Sequence, residues 1–161
     1  MKKSLDRLER TIEAIMILLV ALFTILVGVQ VVSRYVFNNS ITWSEQAARY
    51  MFVWLVMLGL PILYRHGEHV GFTMLTEALP RKGQLILEVI THILVMVFAA
   101  LWAKLAIEYC AQLGDKKMVG LGIRQVYVYS SQIASAVLLG IFTLERLVVD
   151  VILLVKKNKE G

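Results

Sequence analysis

The chain has 161 residues, of which 58% are hydrophobic, with a mean hydropathy of +0.71 and a net charge of +5. That apolar content exceeds what an ordinary soluble domain carries, and the length leaves room for one fold, so a water-soluble multidomain enzyme is excluded. The positive charge does not point to nucleic acid, because the basic residues sit at the ends of apolar stretches, where membrane insertion places them.

Four such stretches, at about residues 12 to 35, 44 to 64, 84 to 113 and 126 to 155, occupy most of the chain. A helix rises ~1.5 Å per residue and the bilayer hydrocarbon is ~30 Å thick, so roughly 20 apolar residues make one crossing. The fold class expected is an all-α integral membrane protein with four transmembrane helices in a single domain over 1–161. Before the first stretch, Leu5, Leu8 and Ile12 recur at helical spacing and Asp6 and Arg10 fall four apart, which reads as an interfacial lead-in. The apolar run from Ala14 to Val32 exceeds a signal-peptide core and continues into Ser33-Arg34-Tyr35, not a small-residue cleavage site, so it reads as retained.

The second stretch opens at Thr42-Trp43-Ser44-Glu45, with Thr42 as N-cap, Glu45 three residues on and Trp43 as an interfacial anchor. Glu45 and Arg49 lie four apart and can meet on one face. Gly59-Leu60-Pro61 removes the hydrogen bond to the Met57 carbonyl and is expected to kink the helix. Between Gly71 and Pro80, Phe72, Leu75 and Leu79 form one face and Thr73, Thr76 and Glu77 another, the pattern of a short amphipathic interfacial helix between the second and third crossings.

In the third stretch Glu88 with His92 and Lys104 with Glu108 repeat the four-residue spacing, and Ala99 with Ala103 can allow close helix approach. Cys110 is the single cysteine, which excludes an internal disulfide or a cysteine metal cluster and reads as packing. The loop from Gly114 to Gly122 contains three glycines with Asp115, Lys116 and Lys117, and is expected to be a flexible polar turn. The fourth stretch adds the small pairs Ser131 with Ser135 and Ala136 with Gly140, and then Glu145, Arg146 and Asp150 near its end, where snorkelling is cheap.

Lys2, Lys3, Arg7, Arg10, Arg65, Arg81, Lys82, Lys156, Lys157 and Lys159 fall on one side of a four-crossing chain, against Arg34, Lys116, Lys117 and Arg124 on the other. Ten against four places both termini in the cytoplasm by the positive-inside rule.

Catalysis finds no footing: there is no H-E-x-x-H, no G-x-S-x-G and no glycine-rich phosphate loop. A bis-histidine haem needs facing histidines at matching depth, but His66 and His69 lie together at a helix end and only His92 falls within a stretch. A small proton-coupled exporter needs a midplane carboxylate, whereas Glu13 lies at the boundary. No enzyme is therefore expected. A free-standing exporter or a respiratory anchor subunit stays open as one reading of these residues.

Residues 34 to 80 carry Arg34-Tyr35-Val36-Phe37-Asn38, Trp43-Ser44-Glu45-Gln46, Val53-Trp54, Leu58-Gly59, Arg65, His69 and Leu79-Pro80. This pattern, with Gly120-Leu121-Gly122-Ile123 before the fourth stretch, resembles the small membrane subunit of tripartite ATP-independent periplasmic (TRAP) transporters, the DctQ or SiaQ type. The chain departs from that family's common pattern at Gln46 and Arg124, where a second acid and a proline are usual. The resemblance implies a scaffold in the bacterial inner membrane, in contact with lipid. Its partners would be a large multi-helix permease, which holds sodium and substrate sites and moves as an elevator, and a periplasmic binding protein that delivers an organic acid. Under that reading Arg34, Trp43, Glu45 and Arg49 are structural or interface residues at the outer face, and Arg65 and His69 at the inner face. Lys116, Lys117 and Arg124 are candidates for docking the binding protein.

Overall fold

A computed structural model of the chain describes residues 2–38, 42–66, 81–113, 115–118 and 121–159. The fold is all-helical, in four helices: α1 (Lys2–Val36), α2 (Thr42–His66), α3 (Arg81–Leu113) and α4 (Val126–Lys159). The lead-in is continuous with α1, so this helix starts ten residues before the apolar stretch proper. His69, Gly120 and the amphipathic segment expected at 71–80 lie outside the described residues.

Among the described residues, three helices are long and apolar enough to cross a membrane: Leu5–Val36, Trp43–His66 and Gly83–Leu113. The fourth, α4, differs in composition. Its first third carries Ser130, Ser131, Gln132 and Ser135, and its later half carries Glu145, Arg146 and Asp150. It also supplies much of the buried interior, with Ser131, Ser135, Ala136, Leu139, Phe142 and Thr143 all nearly inaccessible. Buried hydroxyls need partners, and those of Ser131 and Thr143 donate to the Val128 and Leu139 carbonyls of their own helix.

The chain divides into two compact units. The first, Met1–Gly59 with Ala106–Gln132, holds α1, most of α2, the end of α3, the loop after it and the first turns of α4. Here α1 approaches α2 closely at one point: a Cβ on Gly59 would lie 3.3 Å from Met16 Cε. Phe23 and Phe52 pack at 6.2 Å between ring centroids, and the Trp54 indole donates to the Tyr127 carbonyl at 3.0 Å. α1 ends where Phe37 N–H reaches the Ser33 carbonyl and Asn38 turns to φ 49°, the left-handed conformation that asparagine tolerates at a helix end.

The second unit, Leu60–Leu105 with Ile133–Gly161, is built on Tyr64, Ala99 and Leu139, with Val95 and Trp102 packed against them. Pro61 is fully buried at its start, and α2 runs through it unbroken to His66.

Candidate functional site

One cluster of charge inside the second unit lies at the end of α2. Arg65 lies in the last turn of α2 and is 8% exposed. Its Nε donates to Glu145 Oε2 at 2.9 Å and its Nη2 to Glu145 Oε1 at 3.2 Å, the two-pronged geometry that a guanidinium and a carboxylate share. Its guanidinium carbon stands 5.1 Å from the centre of the Phe142 ring, close enough for cation–π attraction. Arg146, beside Glu145, donates from Nη2 to the carbonyl of Arg65 itself. That carbonyl is among the last four of α2, which lack intrahelical donors, and a cation there also opposes the negative helix end. Two neighbouring residues of α4 thus hold one residue of α2 by side chain and by backbone.

A second contact ties α3 to α4. His92 Nδ1 lies 2.5 Å from the Glu88 carbonyl, so this nitrogen carries the proton it donates. Its Nε2 faces Asp150 Oδ2 at 3.7 Å, and Tyr64 meets the ring edge-on at 5.8 Å. Glu88 and His92 do meet across one turn, but through the Glu88 backbone, while α4 supplies the carboxylate that His92 faces. The snorkelling expected of Glu145 and Asp150 gives way to inward pairing, with the side chains of Glu145, His92 and Asp150 each about 15% exposed. No local sequence signal joins Arg65 to Glu145, because the partners lie 80 positions apart.

In the first unit the sequence-selected residues are mostly open. Arg34 and Trp43 are exposed. Arg49 Nη2 and Glu45 Oε1 lie 3.9 Å apart, with both side chains more than half exposed.

The loop before α4 is more ordered than its glycines imply. Lys117 and Arg124 form an isolated antiparallel bridge. Met118 N–H donates to the Ile123 carbonyl at 2.8 Å, Gly122 N–H to the Met118 carbonyl at 3.1 Å and Gln125 N–H to the Lys116 carbonyl at 2.9 Å. Gly122 takes φ +67°, which lets the chain return so tightly, and Met118 is buried. The described part of the loop is a hydrogen-bonded hairpin, not a flexible turn. It holds Lys116, Lys117 and Arg124 together and exposed, and Asp115 Oδ1 sits 3.5 Å from Arg124.

Residues 23–152 match the family model for the DctQ component of tripartite ATP-independent periplasmic transporters. The chain belongs to this family. It is similar to a TRAP transporter small permease protein of Haemophilus influenzae, 30% identical over 142 residues that cover 88% of each chain. It is 26% identical to the sialic acid TRAP transporter small permease protein SiaQ of Vibrio cholerae, covering 90% of this chain and 84% of that one. An 80-residue stretch, half of this chain, is 38% identical to part of the sialic acid TRAP transporter permease protein SiaT of Haemophilus influenzae, of which it covers 13%. The DctQ-type subunit is thus a small permease component of a membrane transporter and not an enzyme.

Proposed function

We propose that this DctQ-type chain is the stationary scaffold of a secondary transporter, supporting a large sodium-coupled elevator permease that imports an organic acid delivered by a periplasmic binding protein. The observation that carries this reading is the family match over residues 23–152. The similarity of half the chain to a segment of the much longer SiaT permease adds to it, since there a stretch like this one belongs to the same polypeptide as a permease. The charges near the end of α2 favour a structural role: Arg65 pairs with Glu145 and His92 with Asp150, which suits a rigid support better than an ion path.

We further propose four crossings with both termini cytoplasmic, in a bacterial inner membrane and in contact with lipid, on the ten-to-four asymmetry of basic residues. In that orientation Arg34, Trp43, Glu45, Arg49 and the hairpin face the periplasm. Trp43 then anchors α2 at the headgroup level, and Arg65 holds the cytoplasmic end. Lys116, Lys117 and Arg124 form a modest basic patch that steers the binding protein toward the membrane subunits, an effect on association rate that salt weakens.

Uptake in cells tests both levels of the proposal. Cells with the permease and binding protein but without this chain should take up no organic acid. Cells carrying Lys116→Glu with Lys117→Glu should lose uptake most when binding protein is scarce and salt is low, with the membrane subunits still assembled. Full uptake without the chain removes the scaffold role, and unchanged uptake in the double variant removes the steering role alone.

A further inference from the structure

The pairing of His92 with Asp150 depends on a proton. His92 Nδ1 donates to the Glu88 carbonyl one turn back on α3, and that bond fixes the tautomer, so a neutral ring has no hydrogen left for Nε2. Nε2 then turns a lone pair toward Asp150 Oδ2, which lies 3.7 Å away. Acceptor faces acceptor across a gap longer than the ~2.9 Å of an N–H···O bond. A proton on Nε2 reverses the sign: the ring becomes a cation that donates from both nitrogens, and a side-chain adjustment of under ~1 Å closes the pair.

The other charged and titratable groups of the second unit near this ring are engaged elsewhere. Arg65 on α2 and Glu145 on α4 hold each other, and Arg146 donates to the Arg65 carbonyl. Tyr64 on α2 packs against the ring and lies within electrostatic reach of both Arg146 and Asp150. Glu88, on α3 itself, meets the ring through its backbone. In none of these contacts does Nε2 receive a hydrogen. The side chains of His92 and Asp150 keep a little exposure, so protons reach them without unfolding.

We propose that His92 and Asp150 form a proton-operated latch between α3 and α4, closed when Nε2 carries a proton and open when it does not. The latch goes beyond the scaffold role and does not depend on it. In the orientation proposed above it lies in the cytoplasmic halves of α3 and α4, and it makes the grip between them answer to the proton activity on that side. The sign follows from the pairing. Attraction is present in acid and is lost as pH rises through the span, about pH 5 to 8, in which imidazoles change charge.

Two measurements on the detergent-purified whole chain test this. The chain has three histidines, so His66→Gln with His69→Gln leaves His92 as the one signal in NMR of nitrogen-labelled histidine. Its Nδ1 should stay protonated while Nε2 gains a proton as pH falls from about 8 to about 5. Thermal midpoints give the second readout. As pH rises over the same span, the unaltered chain should lose about 2–4 °C relative to His92→Gln, whose amide can donate to Asp150 at any pH. Asp150→Asn should show no such loss, because its amide can donate to the neutral ring and accept from the charged one. The NMR readout keeps both partners of the contact, so it stands where a variant at either one fails to fold. A single protonation state of Nε2 across the span would overturn the switch. A loss in Asp150→Asn equal to that of the unaltered chain would overturn Asp150 as its partner.

Discussion

Arg65 is held three times over: by the Glu145 carboxylate, by the Phe142 ring and, through its own carbonyl, by Arg146. Removing one partner of a buried pair costs about 3–5 kcal/mol, because the remaining charge is stranded. Arg65→Ala and Glu145→Ala should therefore each lower the thermal midpoint of the detergent-purified chain by several degrees. Exchanging the two as Arg65→Glu with Glu145→Arg should restore only part of that loss, since the Phe142 contact needs the cation on α2. A double exchange no better than either single change would show that the pair does not hold these helices. By contrast, Glu45 with Arg49 lies half in solvent and contributes about 0.3–0.5 kcal/mol. The sequence pointed to both arginines as structural, but their difference in weight depends on a partner on another helix, which no local spacing reveals.

At the level of elements, apolar runs located all four helices, because length and periodicity are local properties. Helix ends were less legible: α1 begins at Lys2 and α4 continues to Lys159, since charged flanks extend a helix as readily as apolar ones. The hairpin departs from the flexible turn its sequence suggests for a related reason. Glycines signal freedom in a sequence, yet Gly122 uses its freedom to close a ladder of backbone bonds over the buried Met118. α4 is the element whose role rests most on position. Its hydroxyls and charges set it apart from the three helices that qualify as crossings, and its most buried positions make it the inward-facing member of the set. Reporter fusions test it: a phosphatase joined near Lys116 should be active and one joined after Lys157 inactive. Activity at both sites would mean that α4 does not cross.

At the scale of the whole molecule, the proposed role is support, with transport left to the permease. The family match places the chain in a tripartite transporter, and Arg65 pairs with Glu145 and His92 with Asp150 inside its second unit. The most direct measurement is sodium-driven uptake of an organic acid into liposomes. Vesicles holding this chain alone should accumulate nothing, while vesicles holding it with the permease, supplied with loaded binding protein, should accumulate substrate. Sodium-driven accumulation in vesicles that contain only this chain would contradict the account.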